Sequence, residues 1–446
     1  MSLDVLLAYP RPAEESPAAY TPLSILFPGA MFEAEGKSVA YWDERFDSQE
    51  EFDGLARDAV EVGVSAFTGT QAGRAARLLQ RAKLLNPRVV GAVGGHHVRI
   101  LPEQVLAEPF VDKIYATPPY GEDLFPWGPQ YVKHFARTDT QYFTSRGCPY
   151  ACSFCALRSP WVPRAAQTVE RELKTIHDAV GFKEISFSDP NIATGVWRGD
   201  DGTMQRMDRV ERIKAIGNIT RSLGVRWDGN MRSPYLTPAM VDALVESQCY
   251  SLEIGCESGD DWFLRHVIRK GHGVDSIRNA CRVMKGSGIS LIYSFITGMP
   301  RETPAQRART FDLIDEIAAE DPLARISIYQ FSPYPGSPMY DEAVAGVEGF
   351  PKFDPPTTME GWGALRLMRT AAYWVTGLTF RRDNLVKNFP TPEEMEKIQP
   401  YVDLALRRWK DRDVDNFPVD EVEAIVSQQV SRRHMGMGLR AEGFVA

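Results

Sequence analysis

No apolar run in this 446-residue chain approaches the roughly 18 residues that a membrane-spanning helix needs. The opening MSLDVLLAYP has neither a cationic stretch nor an apolar core of signal-peptide length, so a cytoplasmic protein without a membrane partner is expected. Six cysteines are too few for a disulfide scaffold. A formal net charge of −8 lacks the basic excess of a phosphate-backbone partner, so no nucleic acid is expected. Internal repeats and low-complexity tracts are absent too. What is present is ordinary globular material, 43% hydrophobic and 25% charged, long enough for two or three domains.

The fold class expected is α/β. Short apolar runs at Val5–Ala8, Val39–Trp42, Val62–Phe67 and Val89–Val93 alternate with helical patterns, which predicts a doubly wound, Rossmann-like domain over 1–125. Such sheets bind ligands beyond the carboxyl ends of their strands. Gly94 and Gly95 stand at one such end, either to let a ligand near the backbone or to make a tight turn. The Pro- and Gly-rich stretch 116–139 reads as a linker. Six further strands are expected at Gln141–Thr144, Glu184–Ser188, Val225–Gly229, Tyr250–Gly255, Ser290–Thr297 and Arg325–Phe331. Between them, Thr237-Pro238 and the capping box Thr303-Pro304-Ala305-Gln306 mark helix starts. Six βα units predict a partial barrel over 140–345 with its chemistry at the strands' carboxyl ends. A mainly helical region follows over 346–446, and its aromatic segment 360–388 is either a docking helix or a lid.

Cys148, Cys152 and Cys155 follow the first of these barrel strands at spacings of four and three. Structural zinc wants four closed ligands, usually as paired CxxC units, and no second pair is present. Electron-transfer [4Fe–4S] sites normally use four thiolates. Three thiolates leave one iron open, and an open position is what binds and activates a substrate. Cys281 repeats with Ile277 and Met284 at helical spacing and reads as core.

CxxxCxFC after the first strand of a six-unit barrel resembles the radical S-adenosylmethionine (SAM) superfamily. The resemblance implies a [4Fe–4S] cluster on Cys148, Cys152 and Cys155, with Phe154 beside it and SAM on the open iron. Reductive cleavage of SAM would then give a 5′-deoxyadenosyl radical that takes hydrogen from a substrate carbon. An external reductant of the flavodoxin or ferredoxin type is implied as well. By position, Ser188 and Asp189 are similar to the segment that holds the methionine amino group. Glu257 and Ser258 are similar to the ribose and amino-acid contact, and Gly298 belongs to a fifth-strand Gly-Pro-Glu-Thr-like turn. Cys256 in that fourth-strand segment is expected to pack.

The first domain resembles the cobalamin-binding-type domain of one branch of that superfamily, carried by Val64–Gln71, Gly94-Gly95-His96-His97 and Leu101–Leu106. His96 and His97 are open to two readings, axial cobalt ligands or hydrogen-bonding residues near a turn. The branch's Arg-Gly-Glu-Gly-Glu-like turn is replaced here by Lys113–Tyr120, which weighs against bound cobalamin. The expected reaction is therefore radical dehydration or oxidation of a small amino sugar or polyol in natural-product biosynthesis. Cobalamin-dependent radical C-methylation and a cluster-bearing sensor or electron carrier are the alternatives. Past the third barrel strand, Asp228 and Tyr235, with Glu253 on the fourth, are the expected catalytic residues at the barrel mouth.

Overall fold

A computed structural model describes residues 3–12, 20–116, 129–157, 160–198, 204–321, 324–347, 352–364 and 370–375. The first unit runs β1 (Leu3–Tyr9), α1 (Leu23–Ala34), β2 (Val39–Asp43), α2 (Gln49–Asp58), β3 (Ala59–Ser65) and α3 (Thr70–Leu85). It continues through β4 (Val90–Gly94), the short helices α4 (His96–Ile100) and α5 (Pro102–Leu106), and β5 (Lys113–Tyr115). Its five strands are parallel in the order β2-β1-β3-β4-β5. That order puts a topological switch point, and hence a crevice, between the carboxyl ends of β1 and β3. Within the expected linker, Pro129–Tyr131 and α6 (Val132–Ala136) are helical, with Tyr131, His134 and Phe135 buried. Residues 117–128 of that expectation lie outside the described residues.

The second sheet holds the six expected strands. They are β6 (Gln141–Tyr142), β9 (Glu184–Phe187), β12 (Arg226–Met231), β13 (Cys249–Glu257), β14 (Ser290–Thr297) and β15 (Arg325–Gln330), parallel in that order. Two antiparallel strand pairs accompany it, β7 (Ser145–Arg146) with β8 (Val162–Pro163) and β10 (Val196–Arg198) with β11 (Met204–Arg206). Helices α7 (Ala166–Val180), α8 (Arg209–Leu223), α9 (Pro238–Glu246), α10 (Val274–Met284) and α11 (Pro304–Glu320) connect the strands. Thr237 and Thr303 cap α9 and α11 through side-chain acceptance from Met240 N–H and Gln306 N–H. Trp227 shows which face is which. Its indole donates to Ser247 O just beyond α9, so odd-numbered β12 residues face the helices and Asp228 and Asn230 face the barrel interior.

After β15 the chain forms α12 (Pro338–Ala345) and α13 (Met359–Ala364), and β16 (Thr370–Val375) adds antiparallel to the edge strand β15. Helix α13 is a docking helix, laid on α3 of the first unit. Gly73 and Gly363 meet backbone to backbone, where a Cβ on Gly73 would stand 2.7 Å from Gly363 Cα. Trp362 is buried and donates to Gln104 Oε1. Within the expected helical segment 360–388, Thr370–Val375 is instead the strand β16, while residues 365–369 and 376–446 lie outside the described residues.

Candidate active site

The cysteine loop is anchored at both ends. Asp189 is wholly buried just past β9 and accepts from Thr144 N–H (2.8 Å), Thr144 Oγ1 (2.7 Å) and Ser145 Oγ (2.5 Å), with Arg212 at 3.9 Å. Burial pushes its carboxyl up, while Arg212 and these donors pull against that. At the far end Arg164 grips Glu172 through both carboxylate oxygens, at 2.6 and 2.8 Å. Between the anchors Gly147 takes φ +72°, a backbone region that glycine reaches without strain.

Cys148, Cys152 and Cys155 are free thiols. Burial pushes the Cys148 and Cys155 thiols up, and the neighbouring cysteines add to that, so the three feel one another. Arg232 and Lys270 act on Cys148 in the opposite direction. Leu157 N–H donates to Cys155 Sγ at 3.4 Å. Among the described residues no three His, Cys, Asp or Glu side chains converge on a single ion. A three-thiolate [4Fe–4S] site asks for something else, one iron per sulfur, and this donor set with an N–H directed at a sulfur fits it. Ser153 then ties the loop to the chain beyond β13, through N–H to Ile268 O (2.9 Å) and Oγ to Val267 O (2.6 Å). Phe154 packs on the barrel core 5.9 Å from Lys270 Nζ.

Around this loop the expected residues separate. Glu257 is buried at the end of β13 and paired with Lys270. Gly298, at φ +76°, has no described residue where a side chain would be, so a ligand can approach its backbone. Ser188 is exposed and donates to Tyr142 O at 3.2 Å. Asp189 is placed differently from the expectation of a methionine contact, because its oxygens already hold Thr144 and Ser145. Ser258 also turns inward, wholly buried against Thr310 and accepting Asp260 N–H at 3.2 Å.

Inside the barrel Asp228 accepts from Ser186 Oγ (2.8 Å) and Tyr250 OH (2.6 Å). Glu253 accepts from Ser294 Oγ. Burial pushes the Glu253 carboxyl up, and the carboxylates of Glu257 and Asp228 push the same way. Tyr235 is not brought to this pair. It ends the turn Ser233–Tyr235 on the rim, with the Arg209 guanidinium 4.3 Å over its ring. Sequence reasoning missed Tyr20, which comes from the first unit yet reaches Ser186 and Asp228. Burial and then Asp228 push its hydroxyl up to about 12. No local signal marks Tyr20, because its partners lie far along the chain.

The first sheet's carboxyl edge lies against the barrel's open side. Tyr20 pairs with Asp139 just before β6, and Thr21 N–H donates to Asp139 O at 3.2 Å. Beyond β15, Tyr334 OH donates to Thr68 O at 3.0 Å, and its ring joins those of Phe67 and His96. The glycine pair divides between its two readings. Gly95 makes the tight turn, since a Cβ would stand 2.7 Å from Ala66 O, while Gly94 has Tyr115 alone of the described residues nearby, at 3.7 Å. His97 is buried and bonded to Thr68 Oγ1 at 3.0 Å, a hydrogen-bonding role, with its Nε2 unpartnered among the described residues. His96 Nδ1 is buried without a hydrogen-bond partner among the described residues. A switch-point crevice flanked by the half-exposed rings of Tyr20 and Phe67, with that orphaned nitrogen beside it, fits a large planar cofactor such as cobalamin.

Residues 142–314 match the radical SAM superfamily, and residues 13–126 match the B12 binding domain. The chain carries a radical SAM domain behind a B12-binding domain. Its cofactors are therefore a [4Fe–4S] cluster and SAM, and the B12-binding domain supports cobalamin against the weight given to the altered 113–120 turn. An uncharacterised methyltransferase of Pyrococcus horikoshii is 28% identical over 206 residues, which is 45% of this chain and 41% of that protein. This chain thus spans less than half the length of that relative. The cytidylyl-2-hydroxyethylphosphonate methyltransferase of Streptomyces wedmorensis is 20% identical, covering 64% of this chain and 66% of that one. Two solved structures share the fold. The radical SAM methyltransferase TsrM of Kitasatospora setae has a TM-score of 0.59 and 15% identity, covering 81% of both chains. The cobalamin-dependent radical enzyme OxsB has a TM-score of 0.60 and 15% identity, covering 97% of this chain and 76% of that one. No described helix is long and apolar enough to cross a membrane.

Proposed function

We propose that this radical SAM protein is a cobalamin-dependent methyltransferase acting on a small polar substrate. The observation that carries the reading is the first sheet's carboxyl edge lying across the open side of the barrel, which would bring a cofactor on that edge beside the cysteine loop. The activities of the relatives move the weight from dehydration or oxidation toward methyl transfer. When bound, the cluster with SAM would supply a carbon-centred radical, and cobalamin would supply a methyl carrier. The chain's own residues do the rest. Cys148, Cys152 and Cys155 would hold the cluster, and Glu257 with the open backbone at Gly298 would receive SAM. Asp228, Tyr250 and Tyr20 would orient the hydroxyl or amino groups of the substrate. Tyr20 and Phe67 would flank the cobalamin and keep water from the barrel opening.

A second reading keeps radical dehydration or oxidation of a polyol or amino sugar. It is favoured by the Asp228 and Glu253 carboxylates on the interior face. Glu253, whose carboxyl is raised by burial, is suited to take the proton of a hydroxyl next to a carbon radical. Another relative, 28% identical over 207 residues, is a tRNA-2-methylthio-N(6)-dimethylallyladenosine synthase of Anaplasma marginale, so RNA belongs beside small molecules among the substrates to be assayed.

The deciding experiment is anaerobic reconstitution with methyl-labelled SAM and dithionite, with and without hydroxocobalamin, followed by mass spectrometry. Label in the cobalamin fraction together with S-adenosylhomocysteine supports methyl transfer. 5′-Deoxyadenosine formed equally without cobalamin, and no label transfer, supports the second reading. An intact cluster that never cleaves SAM overturns both and leaves a sensor or electron carrier.

A further inference from the structure

Strand β13 breaks register with β14 between Gly255 and Glu257, and Glu257 then takes φ +65°. A bulky residue in that left-handed region is held there by its surroundings. What holds it is Lys270, whose Nζ stands 2.5 Å from Glu257 Oε1 in a pair with both side chains under 10% exposed (8% and 7%). Gly255 makes room for the pair. A Cβ there would strike the Glu257 carboxylate and stand 2.7 Å from Lys270 Nζ. Lys270 is fixed in turn from two sides. Its N–H donates to Leu264 O at 2.8 Å, and its carbonyl accepts from Arg232. Arg232 lies 3.8 Å over the ring of Tyr150, inside the cysteine loop. Ser153 fastens the same loop to Val267 and Ile268, three and two residues before Lys270.

We propose that Lys270 is a positioning residue that holds Glu257 in the orientation that binds SAM, and that Arg232 makes this depend on a seated cysteine loop. The proposal rests on the reading of Glu257 as a SAM contact. An unpaired buried carboxylate would take up a proton or turn toward water, and either change removes the acceptor SAM would meet. Cluster loading and SAM binding are thereby linked mechanically through the chain 150–232–270–257.

The test uses the full-length reconstituted protein, with SAM affinity read by calorimetry and the reduced cluster's EPR spectrum read with and without SAM. Glu257→Gln and Lys270→Met should each weaken SAM binding about tenfold or more, the range lost when a hydrogen bond to a charged group goes. Iron and sulfide content should stay at the level of the unaltered protein. The double variant should bind no more weakly than either single one, because both remove the same contact. Lys270→Arg should restore most of the affinity. Gly255→Ala should weaken binding and shrink the SAM-dependent EPR change with the ion pair's residues untouched. If Lys270→Met fails to hold iron, Lys270→Arg and Gly255→Ala still decide the matter, since both keep a cation at 270. Additive losses in the double variant would mean that Lys270 meets SAM itself and would overturn the positioning role. Loss in Glu257→Gln without loss in Lys270→Met overturns the proposal alone. An unchanged affinity in Glu257→Gln overturns the underlying reading of Glu257.

Discussion

Asp189, just past β9, and Asp228, within the neighbouring β12, are held by the chain in different ways. Asp189 has three donors from Thr144 and Ser145 and a buried arginine behind it. Removing it takes a buried carboxylate from beside Arg212 and an acceptor from Thr144 N–H, Thr144 Oγ1 and Ser145 Oγ, so Asp189→Ala should lower unfolding stability by about 3–5 kcal/mol. Chemical denaturation checks that cost. Titration of the cluster-bearing fraction should show unchanged SAM affinity, whereas a direct methionine contact would weaken it. The three cysteines should behave as one unit, with Ala at 148, 152 or 155 abolishing 5′-deoxyadenosine formation under dithionite. Persistent cleavage in any of the three would remove that residue from the ligand set. His97 and His134 are both fully buried, and burial depresses each ring's pKa to about 4 from an ordinary 6.5. Above pH 6.5 both rings are neutral folded or unfolded and cost nothing. Between 6.5 and about 4 only the unfolded chain takes up those protons, so stability should fall steadily as the pH drops through that window. Urea midpoints measured from pH 7.5 to 4 test the direction, and His97→Gln should flatten part of the slope.

Among the elements, the six barrel strands were legible because each is a short apolar run bounded by turn residues, and the caps at Thr237 and Thr303 are local chemistry. Side-chain direction was harder to read from motif position alone. Period-two alternation puts Asp189 on the face of Phe187, which is core, and the Ser188 between them is the residue left exposed. The same rule places Asp228 opposite Trp227 and so inside the barrel. Tyr20 and the Lys270–Glu257 pair could not be read locally, since each depends on a contact between separate elements. The aromatic pattern of 360–388 fits a docking helix or a lid in sequence, and the seat of α13 on α3 is explained by two glycines whose missing side chains let the helices touch. Trp362→Ala should therefore cost about 3–5 kcal/mol, the usual loss for a buried tryptophan, with the Gln104 acceptor also left unpaired. A thermal scan reads the loss, and an unshifted midpoint would show α13 to be a passive passenger.

For the molecule as a whole, two apolar clusters ignore the division between units. Val5, Leu7, Ile25 and Phe27 of the first unit share one with Tyr142, Phe187 and Trp227 of the barrel. Leu6, Val62, Val64 and Leu79 share the other with Met359 and Trp362. The barrel opening and the crevice of the first sheet should thus hold one fixed geometry. Tyr334→Ala, which removes the aromatic and hydrogen-bond contact at Phe67, His96 and Thr68, should lower hydroxocobalamin affinity more than SAM affinity. Equilibrium dialysis of both ligands on the same preparation compares the two losses. The α13 clasp has a further consequence, for synthesis. A nascent chain that has exposed only its first hundred or so residues lacks the tryptophan that seals their core, and this sequence delivers it some 250 residues later. The ordinary order in which amino-terminal domains mature first is then suspended. The first unit should remain protease-sensitive on the ribosome until α13 has emerged.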